Sequence, residues 1–246
     1  MATVGFGLES ANVVGYTETG LLSNGQAKGV GSAFVNVDNT DMTLANLTVV
    51  GYDTEEGYAD MEIQAQQLTG GGATLNGMTY YWCDFEEDGV KYYGWYDENM
   101  NDYNSLPLIP GEGWWIYSSS DNYKIQTAGA VSDKPITVPL LGGAQAKLVS
   151  NPMPTSLDLG QVVIKGYNAE EGYADMEIQA QQLTGGGATL NGMTYYWCDF
   201  EEDGVTYYGW YDENMNDYNS LELGSSEALW VYSPSSSLYV EFPSPL

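Results

Sequence analysis

The chain has 246 residues, with 34 Asp and Glu against 6 Lys, no Arg and no His, and a formal net charge of -28. That balance excludes nucleic acid and anionic membrane as partners, since both need clustered basic side chains to displace counterions. Without His the commonest general base and metal ligand is gone, and with it Ser-His-Asp and zinc chemistry; without Arg there is no bidentate clamp for phosphate.

Taken in order, 11–22 alternates and is rich in β-formers, which predicts a strand. Residues 26–37 predict one or two short strands broken by Gly29 and Gly31, and 43–50 predicts another. Residues 60–68 alternate strictly, with Met61, Ile63 and Ala65 opposite Glu62, Gln64 and Gln66, so they read as a strand despite a helical composition. Residues 69–77 form a turn. Residues 78–85 and 90–97 are aromatic strands joined through Glu86-Glu87-Asp88-Gly89, where Asp-Gly signals a hairpin. Residues 97–104 are a loop, and 113–118 with 122–127 are a final pair of strands. A polar, breaker-rich stretch over 129–134 marks a boundary.

The pattern then restarts. Residues 166–221 repeat 51–106 at an offset of 115, with three differences: Asp53 against Asn168, Thr54 against Ala169, and Lys91 against Thr206. Weaker echoes extend outwards: Gln26-Ala27-Lys28 returns as Gln145-Ala146-Lys147, and Trp115-Ile116-Tyr117 as Trp230-Val231-Tyr232. Such self-similarity sets the architecture. The reading is all-β: two tandem homologous antiparallel β-sandwich or barrel-like modules over 1–130 and 131–246, about eight strands each.

Four features bear on chemistry. The carboxylates, 23 of 34 within the two copies, suit glycoside hydrolysis only if a pair flanks a sugar cleft; on turns they read as a solvated surface. Asp97, Asn99, Asn101 and Asp102, repeated as Asp212, Asn214, Asn216 and Asp217, place side-chain oxygens at the spacing that opens a calcium loop. An Asx-rich turn explains them equally. The expectation is no cofactor, with calcium the one candidate. Trp82, Trp95, Trp114, Trp197, Trp210 and Trp230 are candidate interface or ligand aromatics, because a strand buries only alternate positions; a two-sided aromatic core is the equal alternative. Cys83 and Cys198, one per copy, read as buried free thiols.

Asn12-Val13-Val14-Gly15-Tyr16, the Gly51-Tyr52-Asp53 and Gly57-Tyr58-Ala59 succession, Tyr80-Tyr81-Trp82, Gly94-Trp95-Tyr96-Asp97 and the Pro110–Trp115 segment together resemble the repeated β-modules of secreted surface proteins of Verrucomicrobia and Lentisphaerae-type bacteria. Ser150–Pro154 resembles the Gly-Asn-Pro-Tyr-Pro element of bacterial surface modules. The second copy departs from the pattern at Gly224–Ala228. The resemblance implies an extracellular or cell-surface, non-enzymatic β-module, and carries over no catalytic residue.

The expectation is a secreted structural protein: the subunit of a fibre, appendage or surface layer that partners itself as a homopolymer. The alternative is a carbohydrate-binding module pair with glycans as partners. No apolar run reaches the ~20 residues of a membrane span, and no basic stretch followed by an apolar one opens the chain. Geometry separates the assembly cases: modules that meet head to tail propagate, whereas modules related by a two-fold axis close on themselves.

Overall fold

The structure, a computed structural model, describes residues 14–22, 27–35, 42–55, 58–64, 79–143, 145–168, 179–181 and 194–244. It is all-β, with no α-helix among those residues. The first ten strands are β1 (Val14–Gly20), β2 (Ala27–Gly31), β3 (Met42–Thr43), β4 (Thr48–Val50), β5 (Tyr58–Gln64), β6 (Thr79–Glu87), β7 (Val90–Tyr96), β8 (Pro107–Leu108), β9 (Gly113–Tyr117) and β10 (Lys124–Ala130). They build a sheet β1-β10-β4, a sheet β2-β9-β5-β6-β7 and a ribbon β3-β8. The next ten are β11 (Ile136–Pro139), β12 (Gln145–Ser150), β13 (Leu157–Asp158), β14 (Val163–Lys165), β15 (Gln179–Gln181), β16 (Thr194–Glu202), β17 (Val205–Tyr211), β18 (Glu222–Leu223), β19 (Ala228–Ser233) and β20 (Tyr239–Phe242). Their orders are the same: β11-β20-β14, β12-β19-β15-β16-β17 and β13-β18.

The aromatic hairpin forms as its sequence dictates. Asp88 and Gly89 both take positive φ, 51° and 77°, which matches the twist of the flanking strands. Two expectations change. The predicted strand over 43–50 is interrupted by a 3-10 turn at Leu44–Asn46, where the Asn46 side chain accepts the Thr43 N–H at 2.8 Å. The predicted final strands do not pair with each other: β9 joins β2 and β5, while β10 joins β1 and β4. The chain turns a corner between layers at Ser118, whose hydroxyl donates to the Ser120 carbonyl at 2.7 Å and accepts the Ser120 N–H at 3.2 Å. The predicted turn over 69–77, the end of the 60–68 strand and the start of the 11–22 strand lie outside the described residues.

Each half buries a core between its two larger sheets. In the first, Val49 and Ile125 of the three-stranded sheet meet Tyr80, Trp82, Trp95, Trp114 and Ile116 of the five-stranded one. In the second, Ile164 and Val240 meet Tyr195, Trp197, Trp210, Leu229 and Val231. Burying side chains of this size on both facing sheets is the main stabilising term of a sandwich.

The halves touch through β2 and β9 on one side and β12 and β19 on the other. The contacts come in reciprocal pairs. Gly31 N–H donates to the Ser226 carbonyl and Ser150 N–H to the Gly111 carbonyl, each at 2.9 Å. Val30 bridges to Glu227 as Val149 does to Glu112. These are equivalent positions in the two copies, so the contact is isologous, a pseudo-two-fold. Trp115 and Trp230, also equivalent, meet each other edge to face with centroids 6.1 Å apart, around Leu148 and Ala228. Gly31 permits the approach: a Cβ there would lie 1.6 Å from Ser150 Oγ. The ion pair Lys147–Glu112 is sealed inside, with side chains 6% and 8% exposed.

Removing one partner of a buried pair leaves an uncompensated charge, whereas replacing both by apolar groups is close to neutral. Lys147→Ala is expected to lower the unfolding free energy in urea by about 3–5 kcal/mol, and Lys147→Met with Glu112→Leu to recover most of that loss. Equal stability of the intact chain and Lys147→Ala would contradict the pair's burial.

Candidate functional site

Residues opposite each other in a ladder share a face. In β6–β7, Trp82 sits opposite Trp95, Tyr81 opposite Tyr96 and Phe85 opposite Tyr92. Tyr80, Trp82 and Trp95 face the core. Tyr81, Phe85, Tyr92 and Tyr96 line the other face, where Phe85 stacks on Tyr92 at 5.0 Å and Tyr92 meets Tyr96 edge-on at 5.6 Å. The same arrangement recurs in β16–β17.

This overturns the expected role of most of the tryptophans. Trp82, Trp95, Trp114, Trp197 and Trp210 are all 2% exposed or less and form the cores. Their strand positions point inwards, and the ring N–H groups of Trp82, Trp95, Trp197 and Trp210 are spent on the interior. Trp95 Nε1 donates to the Leu47 carbonyl at 2.9 Å and Trp210 Nε1 to the Val162 carbonyl at 2.7 Å. Trp82 donates to the Tyr52 hydroxyl at 3.3 Å, and that hydroxyl donates to Asp84 at 2.8 Å. Of the six candidates Trp230 alone sits at an interface, the contact between the halves, where it meets Trp115. Among the described residues the exposed rings are tyrosines: Tyr16, Tyr93 and Tyr208.

At the open end of the outer face, Thr79, Tyr81, Asp97, Glu98 and Asn99 line a cavity of about 230 Å³. Thr194, Tyr196, Asp212, Glu213 and Asn214 line its counterpart of about 250 Å³. Tyr81 and Tyr196 are half-buried, while Glu98, Asn99, Glu213 and Asn214 sit exposed at the rim. None of these lining residues is basic.

The loop that carries the rim is held by Asp97, itself 6% exposed. One oxygen accepts the backbone N–H groups of Asn99 and Asn101, each at 2.9 Å, and the other accepts the Asn101 amide at 2.8 Å. Met100 takes φ 61° to close the turn. Asp102 accepts the Asn104 N–H at 2.7 Å. Of the proposed calcium set, Asp97 and Asn101 therefore meet through an N–H, Asn99 contributes a backbone N–H, and Asp102 turns to a separate donor. Asp212, Asn214, Asn216 and Asp217 repeat this geometry. Among the described residues no three His, Cys, Asp or Glu side chains gather in a way that would hold a metal ion.

Tyr81 belongs to the aromatic strands that the sequence marks, but Thr79 and Thr194 carry no such mark, although their outward positions follow from the same alternation that buries Trp82. Sequence reading also passed over Asn104. This side chain accepts the Trp95 N–H at 3.0 Å and donates to the Tyr93 carbonyl at 3.3 Å. It thereby stands in for a neighbouring strand along the edge of β7. The available signal was Gly94, φ 115°, within an aromatic strand: a Cβ there would lie 2.0 Å from Asn104 Oδ1. Asn219 does the same for β17. Cys83 and Cys198 are buried thiols outside any disulfide, and burial pushes the Cys198 thiol up to about 11, which keeps it protonated.

Asn104→Ala should cost about 1–3 kcal/mol by stranding two backbone groups. Hydrogen exchange should then speed up at the Trp95 N–H and stay unchanged at Trp210; equal rates in the variant would contradict the edge role. A second expectation concerns pH. The Asn101 amide and the two backbone N–H groups hold the Asp97 carboxyl below its ordinary 3.8. A lowered folded value means the stabilisation is present above 3.8 and is lost as pH falls through the folded value. The loop N–H groups of Asn99 and Asn101 should lose protection only in that acid window, and Asp97→Asn should abolish the pH dependence. Retention of the same titration in Asp97→Asn would refute the assignment.

No protein-family model matches the sequence, and neither a curated protein nor a solved structure matches it.

Proposed function

We propose that the protein is an extracellular, non-enzymatic binding protein whose two equivalent cavities each take a short stretch of a neutral polysaccharide. The observation that carries this reading is where near-identity falls. The flanking strands keep the same fold with substituted residues, as Gly113-Trp114-Trp115 against Ala228-Leu229-Trp230 illustrates. Folding alone therefore tolerates divergence. The 56-residue segment that differs at three positions is the one that supplies all five described lining residues of each cavity.

The chemistry agrees. A tyrosine ring offers an amphipathic face with a hydroxyl handle, and Thr, Asn and Glu at the rim offer donors and acceptors for sugar hydroxyls. Acidic rims on a chain of charge -28 repel uronic acids and sulfated glycans.

A second reading, self-assembly into a fibre or surface layer, has one observation in its favour. Among the described residues the seven-residue β1 has no strand on its outer side, and an exposed edge recruits other strands. The face that joins the halves is used up by its two-fold closure, so a polymer needs another surface, such as this edge or its equivalent β11. A monomer in sedimentation at every concentration and salt would remove that reading.

Affinity electrophoresis through gels holding a β-glucan, a mannan, a galactomannan or a polyuronate tests the first. At least one neutral polymer should retard the chain, the polyuronate should not, and the polymer should be recovered uncleaved. Tyr81→Ala with Tyr196→Ala should lose at least about tenfold in affinity, about 1.4 kcal/mol. No retardation in any neutral gel would sink the proposal.

A further inference from the structure

The two cavities are related by the pseudo-two-fold that joins the halves, and this restricts what one ligand chain can do. Each cavity sits at β6 or β16, three strands from the edge strand β2 or β12 at the contact. At about 4.8 Å per strand this is roughly 14 Å across the sheet, so the sites lie off the axis. A polysaccharide has direction, from one end to the other. A two-fold rotation reverses any direction perpendicular to its axis. A direction parallel to the axis survives, but the site moves to the opposite side. A straight directed chain can satisfy both related sites only if it runs along the axis itself, where neither cavity lies.

Resting on the polysaccharide reading above, we infer that the protein does not grip one strand twice but bridges two separate strands, so that it cross-links the polymer it binds. The halves are held rigidly enough to transmit this. Reciprocal backbone hydrogen bonds, the Trp115–Trp230 contact and the buried Lys147–Glu112 pair all fix their relative orientation. The duplication then has a use that a single domain cannot supply, since bridging needs two sites and a fixed angle between them.

The test uses the full chain and the soluble neutral polysaccharide that retards it most in the gels. Light scattering should rise on mixing, pass through a maximum as protein is added and fall when protein is in excess. Single-site variants, Tyr81→Ala or Tyr196→Ala, should still be retarded in the gel, within about a factor of three of the intact chain, yet give no rise in scattering. Because Glu98 and Glu213 are exposed, Glu98→Lys and Glu213→Lys provide a second pair in which folding is not at risk, and should behave alike. If the intact chain is retarded without scattering, and one-site variants lose a hundredfold or more in affinity, both sites hold one strand and the inference is overturned. Failure of retardation in the intact chain overturns the underlying reading instead, and the inference falls with it.

Discussion

Everything at the candidate site follows from one constraint: successive side chains of a strand leave on opposite faces. Half the positions of β6 and β7 are aromatic, at neighbouring as well as alternate places, so alternation divides their rings into two sets. One set, Tyr80, Trp82 and Trp95, fills the core with a T-shaped tryptophan pair at 5.4 Å. The other set is forced outwards whether or not a ligand waits there. The loop from Asp97 then adds polar groups at the end of that outward set, and its internal hydrogen bonds hold it in place before anything binds. Pre-organisation of this kind lowers the ordering cost of binding.

The contact between halves shows how far duplicated parts can differ while keeping a shared geometry. Glu112 reaches across to Lys147. Its equivalent, Glu227, accepts the Gly224 N–H of its own turn at 2.8 Å. Burial pushes the Lys28 ammonium down, and the charge of Glu227 opposes that shift. The backbone and the Trp115–Trp230 pair obey the two-fold, while the charged side chains do not. A desolvated charge needs a partner more than it needs symmetry.

Much of this fold was legible in the residues. Strict alternation marked a strand over 60–68 against its helical composition, of which β5 confirms the part up to Gln64, and Asp88-Gly89 marked the turn. The long repeat announced two units of one kind. What escaped has a common physical origin, since it depends on residues far apart in sequence. Which face of β6 meets the second sheet depends on where β4 and β10 lie. The splitting of β9 from β10 depends on each finding a different partner layer. Asn104 acts as a strand only because Gly94, ten residues earlier, leaves space for it. The calcium-like spacing at Asp97 is local, and it correctly located the loop; the direction of each oxygen was set by the N–H groups nearby.

The near-identity of the two hairpins has a cost during folding. A chain that has formed β9 and β5 meets two hairpins that differ, in their strands and turn, only by Lys91 against Thr206. Either one satisfies the same ladder and fills the same core, so the energy of the wrong pairing lies close to that of the right one. Tandem domains of high mutual identity misassemble in this way. Sequence separation, not contact chemistry, sorts them: β5 and β6 are joined by the short stretch 65–78, whereas reaching β16 closes a loop of well over a hundred residues, at an entropic disadvantage that grows only logarithmically with length. Vectorial emergence of the first half, before the second hairpin exists, removes the competitor altogether. Refolding of the whole chain from denaturant restores it, and the swapped product is the kinetic trap that such a duplication builds into its own landscape.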